Sequence, residues 1–224
     1  MLQISLYFIM KKILKNSFLI FFFFSFVSKS QDVDVDYQLW SRFELKYNVD
    51  KKTSLSLQNG IRYIDTLSFL NRNFTDVKLK FSQNKHISYS LGYRYIFNRN
   101  NDNLLNEINH RMYFGCHYKN KISDELSLLL RSRFQNESNN EKSFRQKIKI
   151  SFSLKEIKIK LNSSMELFHD MFFVNEKIRY STGFSIPINK KIFLDFNYIF
   201  ESEVNKNIKD NFHIFRTKIA LNLN

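Results

Sequence analysis

The sequence predicts an all-β chain: an antiparallel, up-and-down transmembrane β-barrel of about 10–12 strands, preceded by a signal peptide. Three observations point there. The first thirty residues differ in kind from everything after them. The rest is a train of long segments that alternate apolar and polar side chains. Those segments sort their charges onto one face only.

The opening stretch comes first. Lys11, Lys12 and Lys15 precede the apolar block "FLIFFFFSFV", Phe18 to Val27, and "SKSQ" follows. Ser28 and Ser30 are small residues at the spacing a signal peptidase reads. The block is shorter than the ~20 residues of a membrane-crossing helix. Residues 1–30 therefore read as a secretory signal and residues 31–224 as the barrel, with Gln31 as the first mature residue. Cleavage would remove four lysines and no acid, so most of the net charge of +14 stays with the barrel. Aromatic residues make up 17% of the chain, too many for a disordered tail. One cysteine excludes an intramolecular disulfide and a cysteine metal cluster.

Eleven alternating segments follow, at about 37–49, 54–65, 73–82, 86–97, 107–119, 125–136, 143–154, 157–169, 176–186, 192–203 and 212–223. In the first, Tyr37, Leu39, Phe43, Leu45 and Tyr47 share one face, and Trp40, Arg42, Glu44 and Lys46 share the other. In the fourth, Tyr89, Leu91, Tyr93 and Tyr95 oppose Ser88, Ser90, Gly92 and Arg94. In the eighth, Ile159, Leu161, Met165 and Leu167 oppose Lys160, Asn162, Ser164 and Glu166. Away from segment ends no apolar face carries Lys, Arg, Asp or Glu.

Alternation alone does not say which face is inside. All four glycines, Gly60, Gly92, Gly115 and Gly183, lie on the charged face, where small residues beside long ones suit a crowded interior. The apolar face is bulky almost throughout and would overfill a closed core. Segments of a dozen residues exceed the usual soluble strand of about 5–6 and suit a tilted bilayer crossing of about 9–11. A charge on the lipid side at mid-depth costs about 2–4 kcal/mol, which accounts for its absence there. Connections after odd segments are short, such as "DKK" at 50–52; those after even segments are mostly longer, such as "NRNNDNLLN" at 98–106. Short turns are expected in the periplasm and long loops outside. Eleven segments would start the wall outside and end it inside, so ten or twelve strands are expected.

The polar face is basic. Its candidate lumen cations are Arg42, Arg62, Arg94, Arg111, Arg131, Arg133, Arg145, Arg179 and Arg216, and its candidate acids are Asp76, Glu107, Glu166, Asp195 and Glu201. One reading is an anion-attracting lumen or lipopolysaccharide contacts at the rim. The other is an ion-pair network filling a narrow barrel, which the strand number favours. Arg94 is placed to pair with Glu107 on the next strand. His86 and Ser88 share a face in "HIS", the residue types of a lipid hydrolase, but both point inward near a short turn and read as a turn-flanking polar pair. His110 and His213 fall on the apolar face and read as interface residues. No catalytic, cofactor or metal site is expected. The export segment and the separation of aromatics from charges argue against nucleic acid. The partners implied are outer-membrane lipid, lipopolysaccharide and the barrel-assembly machinery.

"NFTDVKLKFS" (73–82), "LGYRYIFN" (91–98), "EINHRMYF" (107–114), "LRSRFQNE" (130–137), "FRQKIKISF" (144–152) and "KIRYSTGFSI" (177–186) resemble the recurring strands of the domain of unknown function 2490 family. The resemblance runs over nearly all the mature chain, including the Trp40 strand. It implies secretion from Bacteroidetes-type bacteria and an outer-membrane barrel, and it brings no activity and no catalytic residues. The function expected is a non-enzymatic outer-membrane barrel with a basic lumen, structural or weakly channel-like. The alternatives are an outer-membrane lipid-modifying enzyme of lipase or deacylase type and a soluble ligand-binding barrel.

Overall fold

The computed structural model describes residues 35–99, 106–138, 141–204 and 211–223. The signal segment, with its cleavage site and Gln31, lies outside the described residues. Eleven strands close into one barrel: β1 Val35–Asn48, β2 Thr53–Ile64, β3 Phe69–Ser82, β4 Ile87–Arg99, β5 Asn106–Lys121, β6 Leu126–Glu137, β7 Lys142–Leu154, β8 Ile159–His169, β9 Asn175–Pro187, β10 Ile192–Glu203 and β11 Asn211–Asn222. Each strand pairs antiparallel with its chain neighbours.

The closing pair is different. β1 and β11 run parallel, in register from Val35 opposite Asn211 to Lys46 opposite Asn222. The odd count is therefore real, and the expected ten or twelve strands is corrected to eleven. A meander reverses direction at every strand, so an odd wall must bring two like-directed strands together when it closes. Most segments lie within two residues of their expected places. The exception is β3, which starts at Phe69 rather than 73. "FLNRN" looks like a loop, but it continues the ladder past a bulge between Arg62 and Tyr63.

Four of the five turns after odd-numbered strands share one device. The Asp50 carboxylate accepts from the backbone N–H groups of Lys52 (2.6 Å) and Thr53 (2.7 Å). Asn84 does the same for His86 and Ile87, and Asn189 for Lys191 and Ile192, all at 2.8 Å. The Ser123 hydroxyl accepts from Glu125 and Leu126. A polar side chain that bonds its own backbone two and three residues on closes the turn locally. The two N–H donors, Lys52 first, also hold the Asp50 carboxyl below its ordinary pKa.

The apolar face points outward. Leu91 is 55% exposed, Met112 60%, Phe114 50% and Phe43 44%, far from the burial a soluble core would give them. Inside, a small cluster of Trp40, Ile199 and Ile214 is buried, with Phe212 against it. Phe74, Ile96 and Tyr113 are buried too. Two of these rings rest on glycines of the adjacent strand. Phe74 is in register with Gly60 and Tyr113 with Gly92. A Cβ at Gly60 would sit 2.4 Å from Phe74 Cζ, and one at Gly92 2.1 Å from Tyr113 Cζ. Space, not backbone conformation, requires glycine there, since no glycine has positive φ.

Gly92→Ala is therefore expected to cost about 1–3 kcal/mol by displacing a packed ring. Gly115→Ala should cost less, because the nearest atom is the rotatable Ser90 hydroxyl at 2.8 Å. Urea unfolding midpoints of the two refolded variants test this. Equal midpoints would show that the Tyr113 ring is not held in place.

Candidate functional site: a basic lumen

The inward face encloses a cavity of about 1030 Å³. Sixteen Lys and Arg and nine Asp and Glu line it among the described residues. The lining runs from Glu141 and Lys142, beside the longer connections, to Lys78, Lys149 and Lys218 toward the short turns. All nine candidate arginines line this cavity, as do Asp76, Glu166, Asp195 and Glu201. Glu107 does not. It is exposed near the rim, opposite Asn98.

Three buried carboxylates organise the walls. Asp76 on β3 accepts from Arg94 Nε (2.8 Å) and from the Tyr113 hydroxyl (2.8 Å). The expected Arg94–Glu107 pair is thus replaced by Arg94–Asp76. Both acids lie on strands next to β4, but Asp76 is directly opposite Arg94 whereas Glu107 sits toward the rim. Glu166 on β8 gathers Arg131 (2.6 Å), Arg145 (2.6 Å) and Lys147 (3.7 Å). Glu201 on β10 takes Arg179 and, at 3.3 Å, Lys177. Toward the short turns, Lys218 bridges Glu44 (2.9 Å) and Asp195 (3.0 Å), and near the other end Arg111 pairs with Glu137. Alternation places each partner on the inward face, and the register sets most opposite charges on neighbouring strands, while Arg131 on β6 reaches past β7 to Glu166 on β8.

The separation of aromatics from charges holds on one side only. Outward faces carry no charge away from strand ends, but four rings stand inward among the arginines. The Arg62 guanidinium lies 3.9 Å from the Trp40 ring, Arg94 4.4 Å from Phe74, Arg133 4.1 Å from Tyr113, and Arg145 4.2 Å from Phe168. Each such contact contributes about 0.5–2 kcal/mol. The signal was parity: Phe74 is two residues from Asp76, Tyr113 two from Arg111, and Phe168 two from Glu166. Arg72, Lys142, Glu141 and Glu176 were also missed, because they sit at strand ends where alternation fades.

His86 sits in the short turn before β4, as a turn-flanking residue would. His86 Nδ1 lies 3.0 Å from the Lys119 carbonyl, and its ring stacks on Tyr118. A serine–histidine contact forms elsewhere, between Ser90 Oγ and His117 Nε2 at 2.9 Å. No carboxylate orients that imidazole among the described residues. His110 bonds the Tyr93 hydroxyl, and His213 the Tyr198 hydroxyl, both on the outward face. No group of His, Cys, Asp and Glu able to hold a metal ion occurs among the described residues.

The model of a family described as protein of unknown function (DUF2490) matches residues 37–212. Four chains of solved structure match as well. One is a KdgM porin, 15% identical, with 73% of this chain and 88% of that chain covered and a TM-score of 0.49. Another is a KdgM porin in complex with disordered oligogalacturonate, 14% identical, covering 76% and 91%, with a TM-score of 0.48. None of the curated proteins compared matches.

Proposed function

We propose, for a chain that belongs to the DUF2490 family, that it is an exported, non-enzymatic outer-membrane barrel whose lumen attracts anions. The observation that carries this reading is the opposition of the two faces. Away from strand ends the outward face carries no charge and is rich in half-exposed Phe, Leu, Tyr and Met. Such a continuous apolar band is suited to lipid rather than water. A closed barrel leaves no open sheet edge in that setting. Among the described residues that line the cavity, cations exceed carboxylates by seven, sixteen against nine, an imbalance that favours counter-charge from solution.

Export would use the segment at residues 18–27, with cleavage before Gln31. The short turns would face the periplasm and the longer connections the outside. Lipid and lipopolysaccharide would cover the wall, and the barrel-assembly machinery would insert it. The Ser90–His117 contact favours no enzymatic role, since it lies inside the barrel, toward the short turns and away from lipid.

Conductance of the refolded protein in planar bilayers tests the reading. Discrete steps with a reversal potential favouring chloride over potassium are expected. Cation-selective steps, or no conductance from protein shown to be inserted, would overturn the anion-attracting lumen.

A further inference from the structure

We infer that Arg42 and Arg62, with Trp40 and Phe74 between them, form an oxyanion site in the lumen, one that takes the carboxylate or phosphate group of an entering solute. The inference deepens the lumen reading above by giving it a place and a ligand class. It does not require conduction.

Most lumen cations already have a carboxylate. Arg94 has Asp76, Arg145 has Glu166, Arg179 has Glu201 and Lys218 has Glu44. Arg42 and Arg62 form no ion pair among the described residues. The Nε of each is buried without a hydrogen-bond partner. Their guanidinium groups converge on the same two rings. Arg42 lies 5.8 Å from the Trp40 ring and 5.7 Å from Phe74, while Arg62 lies 3.9 Å and 5.9 Å away. Arg216, in register with Trp40 across the parallel seam, brings a third cation to this level.

An aromatic face attracts a cation, but it accepts no in-plane N–H donor. A guanidinium has five such donors in a fixed fork. Two or three of them crowded together repel, and the nearby carboxylates Asp76 and Glu201 are taken by Arg94 and Arg179. An oxyanion supplies both missing parts: negative charge and paired acceptor oxygens that match the fork. Chloride supplies only the charge. The rings hold the guanidiniums in orientation beforehand, which lowers the ordering cost of binding. Both arginines line the cavity, so the solute route and the site are continuous.

Trp40 is the chain's one tryptophan, so its emission reports this site alone. Refolded barrel in zwitterionic detergent is titrated with inorganic phosphate, with acetate, and with chloride at matched ionic strength. A saturable change in Trp40 emission is expected with phosphate and acetate and not with chloride. In R42Q/R62Q the midpoint should move to about ten-fold higher concentration or beyond, the scale of one charge-assisted hydrogen bond. K155Q, which removes an exposed charge at a short turn, should leave the titration unchanged. If R42Q/R62Q does not fold by heat-modifiable mobility, R62K is used; it keeps the charge, loses the fork, and should also weaken binding. No saturable signal, an equal response to chloride, or wild-type titration in these variants would overturn the site. A conducting barrel without the Trp40 signal would reject the site and keep the pore. A silent barrel with the signal would do the reverse.

Discussion

Glu166→Ala is expected to lower the stability of the folded barrel by about 3–5 kcal/mol, the cost of breaking a buried ion pair from one side. Glu166 is 2% exposed, and its carboxylate is shared by Arg131, Arg145 and Lys147. Removing it leaves three cations facing one another. Among the described residues, only Arg145 has a further acceptor, Gln135 Oε1 at 3.3 Å. Glu166→Gln keeps the shape and one acceptor, so it should fall between wild type and alanine. Urea unfolding in lipid vesicles measures this as a midpoint shift at constant slope. A loss under about 1 kcal/mol would mean that water screens the cluster as it does at a surface. That result would describe a flooded lumen rather than a network with solvent only in its cavity.

Leu91→Arg is expected to cost about 2–4 kcal/mol in a bilayer. Leu91 lies close to the middle of β4, outward, between Leu79 and Phe114 on the adjacent strands. The same substitution at Tyr37, near the rim, should cost no more than about 1 kcal/mol. The pair measures depth as well as sidedness. Should Leu91→Arg prove neutral, or improve solubility without detergent, the outward face would be a water-facing one and the membrane reading would fall.

Much of the architecture could be read from parity alone. Leu91, Tyr93 and Tyr95 against Gly92 and Arg94 already state the two faces of β4, because a strand has a period of two. The four glycines pointed to the crowded side, and two of them prove to lie beneath Phe74 and Tyr113. What parity cannot carry is pairing. It does not say which residues stand opposite, so Arg94 was matched to Glu107 when Asp76 was its neighbour in register. It does not say how the last strand meets the first, so an odd wall looked like a miscount. Parity does mark the inward rings: Trp40 falls on the face of Arg42, Phe74 on that of Asp76 and Phe168 on that of Glu166. Sorting by residue type instead of position passes over Phe74 and Phe168. At Trp40 and Phe74 stand Arg42 and Arg62, which form no ion pair among the described residues, whereas Arg145 and Arg179 over Phe168 have Glu166 and Glu201.

The parallel seam has a consequence for engineering the chain. In a barrel with an even number of strands the first and last strands are antiparallel, and a tight hairpin can join them in a circular permutant. Here Val35 and Asn222 stand at opposite ends of paired strands. A linker between them would have to travel the height of the wall, about 40 Å at the usual rise per strand residue. It would have to run either outside through lipid or inside through the charged cavity. Fusions placed ahead of β1 and behind β11 would, in the proposed orientation, emerge in different compartments. The protein would then carry a built-in pair of reporters for the two sides of its membrane.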